Sequence, residues 1–366
     1  MLAAFIPKRL RRTALCIAAA SFLHVAAPAA EEAAQELETV IVTGEVPGPG
    51  LWKVSKGDHV MWVLANHSPL PKGTTWRSRE LDGRIAESQE VLYPPYVNVK
   101  PNISMLRGIT LTSATNRAAK LPDGKTLKDV LPAEVHERWS ELRAKYLGTG
   151  DYVETRRPAT AMRLLRMYAI RQNELQGGPN VREMVDEARK RHKIKPIWLP
   201  TVRRTVEFKD PGGVLDSLRD LQPAEVDCFI RDLDRLEPDI ERMKVLANAW
   251  SLGDTEELRG LFRPVTLRDE IRDGCVHLAL GGAVMSATQE EGSSAEAARV
   301  QKLVQDFQWH VEQAQLQAQL DWLKTADAAL QRNRTTFALL GLPEILGPDG
   351  HLEKLRALGY SVEEPR

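Results

Sequence analysis

Two short polar segments follow apolar, strand-like runs, and they hold the side chains best suited to chemistry. The first is Ala65-Asn66-His67-Ser68-Pro69-Leu70-Pro71-Lys72-Gly73, after a run ending at Leu64. The second is Gly341-Leu342-Pro343-Glu344, after a run ending at Leu340. Open α/β sheets build their sites from such residues, just beyond strand ends. An imidazole and a carboxylate suit acid–base work or metal binding. A nucleophile pair of Ser68 and His67 is the poorer alternative, because adjacent residues on a strand point apart. Generic catalytic signatures are otherwise missing: the sequence has no G-x-S-x-G elbow, no H-E-x-x-H, no phosphate loop and no helix-opening G-x-G-x-x-G.

Three cysteines are present, at 16, 228 and 275. Cys16 falls in an export signal: Lys8, Arg9, Arg11 and Arg12 precede the apolar run 13–27, which ends in small residues and then Glu31-Glu32. The run is short for a spanning helix, so residues 1–30 are expected to be cleaved and the protein to be periplasmic or secreted, with no transmembrane segment left. In an oxidising compartment Cys228 and Cys275 are a candidate disulfide, with two buried thiols as the alternative. The precursor balances fifty Lys and Arg against fifty Asp and Glu. Four of the basic residues leave with the signal. The remaining chain is mildly acidic, which argues against a nucleic-acid partner.

Residues 31–47 are expected to be loose, apart from a β-branched run at Thr39–Thr43, and 48–366 to form one α/β domain. Leu51–Ser55 and His59–Ala65 flank Lys56-Gly57-Asp58 and predict a hairpin. Strands are expected at Gln89–Tyr93, Ile197–Phe208, Thr335–Leu340 and Tyr360–Glu363, with Pro200 bending the second of these or confining it to an edge. Helices are expected at Arg77–Glu87, Pro132–Tyr146, Ala159–Leu175 and Val181–His192 as an insertion. Pro223–Trp250 should be kinked or divided by Pro238. A long helix over Ser294–Asn333 carries an apolar stripe that includes Val311, Leu316, Leu320 and Leu323. The fold class is therefore α/β, mixed: a central sheet flanked by helices.

The run Gly50-Leu51-Trp52-Lys53-Val54-Ser55-Lys56-Gly57-Asp58, then Pro71 and Gly73, resembles the start of TraB/GumN family proteins. Arg332-Asn333, Gly347-x-Asp349-Gly350 and Gly359-Tyr360-x-Val362 resemble its end. The resemblance implies the fold shared with TIKI proteases, erythromycin esterase and ChaN-like haem-binding proteins. Some members are metal-dependent peptidases with two G-x-x-H motifs and a glutamate. Here the first motif falls on Ala65-Asn66-His67-Ser68 and the second on Gly341-Leu342-Pro343-Glu344. Glu90 is the carboxylate nearest the family's acidic position.

Serine is a poor ligand for a divalent metal, and His67 stands one place early. The resemblance thus implies a degenerate metallo-hydrolase fold that binds a peptide, a glycan or an envelope protein, with Asn66, Arg332, Asn333 and Arg334 as candidate binding residues. The alternatives are an active hydrolase whose divalent metal is held by His67, Glu344 and Glu90, and a structural role using the long helix.

Overall fold

The computed structural model describes residues 44–76, 79–102, 116–117, 119–207, 223–262, 276–280, 283–287, 295–347 and 349–365. The run Thr39–Thr43 lies outside them. Residues Gly44–Val46, within the stretch expected to be loose, form β1, which pairs in parallel with β4 (Thr74–Trp76). The hairpin forms as the alternation predicts: β2 (Leu51–Lys56) runs antiparallel to β3 (His59–Asn66) across a turn in which Gly57 takes φ +64°. The side chains of Trp52, Val54, Met61 and Val63 are buried.

After β4 the chain runs through α1 (Arg79–Ala86) into β5 (Glu90–Leu92), a fully buried strand, and then β6 (Val97–Pro101). A helical group follows: α2 (Leu127–Val130), α3 (Ala133–Tyr146), α4 (Pro158–Gln172) and α5 (Val181–Arg191). The expected strand at 197–208 is two strands. Pro200, which cannot donate to a ladder, separates β7 (Lys195–Ile197) from β8 (Val202–Val206). β7 closes one edge of the main sheet, and β8 pairs with β6 in a separate ribbon.

The remaining elements are α6 (Pro223–Leu252), α7 (Thr255–Leu261), the hairpin β9 (Val276–Leu280) and β10 (Ala283–Ala287), α8 (Ala295–Arg332), β11 (Thr335–Gly341), α9 (Leu342–Leu346), α10 (His351–Ala357) and β12 (Ser361–Glu363). The main sheet has the order β12-β2-β3-β11-β5-β7, with β3, β11, β5 and β7 mutually parallel. Gly359 at φ +84° ends α10 before β12.

Two cores result. One lies on the sheet; the other is helical and joins Leu127, Trp139, Leu142 and Leu165 to the first half of α6. Pro238 does not divide α6, which continues through it for 30 residues. Its ends are held in different cores: Phe229, Leu233, Leu236 and Ile240 in the helical one, Ala247 and Trp250 in the sheet. That burial outweighs the lost backbone bond. On α8 the expected stripe holds at Leu323, which is buried, and is displaced at two positions. Leu316 and Leu320 are about half exposed, at 46% and 51%, whereas Ala314, Ala318, Ala326 and Ala329 are buried. The β6–β8 ribbon packs against the Ala314–Ala318 side through Val99 and Val202, and a close approach selects small side chains.

Cys228 is buried and disulfide-bonded; its candidate pairing with Cys275 lies outside the described residues. No helix among the described residues is long and apolar enough to cross a membrane.

His351, in the first turn of α10, is buried edge-on against Trp322 at 4.9 Å, with Nδ1 unpartnered. Burial, helped by the Lys354 charge, pushes its imidazole down to about 4. An unfolded histidine titrates near 6.5. Between these values the unfolded chain holds the extra proton, so the stability contributed by the neutral ring is complete above about pH 6.5 and is lost as pH falls towards 4. The melting temperature is expected to drop over that window, and His351→Gln to flatten the slope by up to one proton. An unchanged slope in the variant would remove His351 as the cause.

Candidate functional site

The parallel strands bring both polar segments to one sheet edge. Asn66 ends β3 opposite Gly341, which ends β11, so His67 and Glu344 leave neighbouring strands on the same side. Glu344 sits in the first turn of α9, and its carboxylate folds back over Gly341. A Cβ at residue 341 would lie 2.4 Å from Glu344 Oε2, so a larger residue there would push this carboxylate out of its place. Burial pushes the Glu344 carboxyl up, opposed by a hydrogen bond from its own backbone N–H. His67 lies 6.3 Å from the Trp250 ring, whose Nε1 donates to the Ala65 carbonyl at 2.9 Å. Its Nε2 is buried without a hydrogen-bond partner. Burial lowers the imidazole to about 4, so the ring is neutral at pH 7.

Glu90 is not with them. It opens β5 in register with Thr336 near the start of β11, five residues before Gly341, or ~16 Å of strand away. Arg332 and Asn333 meet it there: Asn333 Nδ2 donates to Glu90 Oε2 at 2.7 Å, Arg332 forms an ion pair with the same oxygen, and Lys195 lies 3.8 Å from the other. Burial alone would raise the Glu90 carboxyl; the bonds from Asn333 and Arg332 and the two positive charges outweigh it and hold the group below its ordinary value. The candidate binding residues Arg332 and Asn333 thus fasten Glu90 between β5 and β11. Arg334, mostly exposed, pairs with Asp58 at 3.2 Å beside the hairpin turn. Of the proposed ligands, His67 and Glu344 share an edge and Glu90 occupies the other.

A cleft of about 680 Å³ opens beside His67. One wall is Asn66–Leu70, with a cis bond between Ser68 and Pro69. The facing wall is α4, through Arg163, Arg166, Met167 and Ile170, and the loop Leu175–Val181 that enters α5. Asn180 caps α5, accepting from the N–H groups of Arg182 and Glu183. The two walls are joined at the backbone: Lys72 N–H donates to the Glu174 carbonyl at 2.9 Å, and Gly178 lies directly against Leu70 and Pro71. Exposed Ser68 and partly buried Asn66 line the cleft with His67. Glu344 is not among the lining residues.

The TraB/PrgY/gumN family profile matches residues 50–364, which is most of the chain and includes both strand-end segments. The chain belongs to the TraB/PrgY/gumN family. No curated protein and no solved structure gave a match. Among the described residues of this TraB/PrgY/gumN protein, His67 and Glu344 offer two candidate ligands at this end of the sheet, where a catalytic metal takes three and an open position. Among the described residues no group of three His, Cys, Asp or Glu side chains converges elsewhere.

Sequence reading missed two features near this edge. Arg163 and Arg166 stand one turn apart on α4 and reach the cleft only through the tertiary fold. Past the ends of β5 and β7, Tyr93 stacks on Trp198 at 4.0 Å, and the Arg182 guanidinium lies within 5.2 Å of the rings of Tyr93, Tyr96 and Trp198. The only signal in sequence was position: Tyr93 and Trp198 each follow a strand directly. Of the basic residues between 188 and 195, Arg189 and Lys190 pair with Asp186 and Arg191 and His192 with Asp82, and all but Arg189 are exposed.

Proposed function

We propose that this TraB/PrgY/gumN protein is an exported binding protein on a metallo-hydrolase-like scaffold, with the metal chemistry lost and the cleft beside His67 kept for a ligand. One observation carries the reading: Glu90, the carboxylate a rebuilt metal site would need, is held by Arg332 and Asn333 at the edge of the sheet away from His67 and Glu344. The cleft lies within the ~300–1,000 Å³ usual for small-ligand sites. Export to the periplasm or beyond is supported by the basic residues Lys8–Arg12 and the apolar run after them.

Metal analysis of the purified protein, alongside His67→Ala and Glu344→Ala, tests the reading. Substoichiometric divalent metal is expected in all three. One equivalent of metal, lost in both variants, would restore the hydrolase alternative.

A further inference from the structure

We infer that the cleft takes a ligand carrying a single carboxylate on an aliphatic body. This rests on the binding-protein reading above and supplies its ligand chemistry. Charge is the first argument. Among the described residues no Asp or Glu lines the cleft, while two arginines do. Arg166 is engaged by Asp239 at 3.0 Å. Arg163, three residues earlier on the same helix, is exposed and has no acidic partner among the described residues. An arginine fork with no carboxylate of its own, in a cleft whose other arginine is already paired and which no carboxylate lines among the described residues, selects an anion. One unengaged guanidinium matches one negative charge.

The second argument is the character of the walls. Met167 and Ile170 present apolar surface to the cleft over buried Leu70, Leu175 and Val181, no Phe, Tyr or Trp lines it among the described residues, and Asn66, Ser68, Gln176 and Asn180 add polar groups. An alkyl or branched apolar chain gains from burial against the apolar part. The volume accommodates one small molecule or the end of a chain, not a folded partner. Two sources carry this chemistry: a free fatty acid, and the C-terminal carboxylate of a peptide ending in aliphatic residues.

Calorimetric titration of the purified protein with decanoate, decanol, N-acetyl-Ala-Leu-Leu and its C-terminal amide distinguishes them. At least one acid is expected to bind at one site, with its neutral counterpart at least tenfold weaker. Arg163→Gln should weaken the acid at least tenfold and leave the neutral compound unchanged; because Arg163 is exposed, the variant should melt like the parent. Tighter decanoate assigns the lipid-type source, and tighter peptide acid the chain end. If acids and neutral compounds bind alike and Met167→Arg abolishes both, the cleft is a binding site but the carboxylate inference is overturned. If no compound binds, the carboxylate inference is overturned, while the binding-protein reading still stands or falls on the metal analysis above.

Discussion

Glu225→Ala is expected to destabilise the protein by about 3–5 kcal/mol, the cost of breaking a buried ion pair from one side. Arg157 and Glu225 are 2% and 1% exposed, and they meet through two bonds, Nε to Oε2 at 3.0 Å and Nη2 to Oε1 at 2.5 Å. Arg157 immediately precedes α4, and Glu225 lies in the first turn of α6, so the pair fastens the helical insertion to the long helix that enters the sheet core. Burial pushes the Glu225 carboxyl up against the pull of Arg157, whose guanidinium balances its charge through two bonds. Removing the carboxylate takes from the buried guanidinium the negative charge of this pair. The melting temperature should fall by on the order of 10 °C. The double variant Arg157→Met/Glu225→Leu, which removes both charges of the pair, should lose less than either single change. Equal losses in single and double variants, measured by urea unfolding, would show that the pair is not what joins these helices.

Gly178→Ala should cost about 1–3 kcal/mol and weaken any cleft ligand more than that loss of stability implies. A Cβ there would sit 2.2 Å from the Leu70 carbonyl oxygen and 2.6 Å from that of Pro71. These are backbone atoms and cannot rotate aside. The segment Asn66–Leu70 must move, and with it the wall that carries His67. Gly83→Ala is the matched control: its Cβ meets nothing within 4 Å and it lies inside α1, so helix propensity alone predicts a gain of ~0.5–1 kcal/mol. A Gly178 variant that melts and binds like the parent would mean that the two walls are not coupled there.

Much of the sheet could be read from local sequence. The β2–β3 hairpin follows from alternation around Lys56-Gly57-Asp58, and the final strand–helix–strand unit from its Gly-rich turns, because neighbours in the chain decide both. The shared edge of His67 and Glu344 was legible too, since both segments directly follow strands. Glu90 was not. Its edge depends on the register of β5 against β11, a pairing between residues 90 and 336 that no local pattern encodes. Arg163 and Arg166 stayed hidden for the same reason, lying on a polar helix that meets the loop after β3 only in three dimensions. On α8 the period was right and the face only partly so: alanines, not Leu316 and Leu320, go inward at the ribbon.

The position of β11 bears on when the fold can exist at all. This strand, Thr335–Gly341, is inserted between β3 and β5, yet it is made long after both. Until it emerges the first hairpin has no parallel partner, and β5 has none on that side. Such long-range pairing closes slowly. A nascent chain therefore carries apolar strands without their sheet partners for a long interval, the condition in which a chaperone is needed.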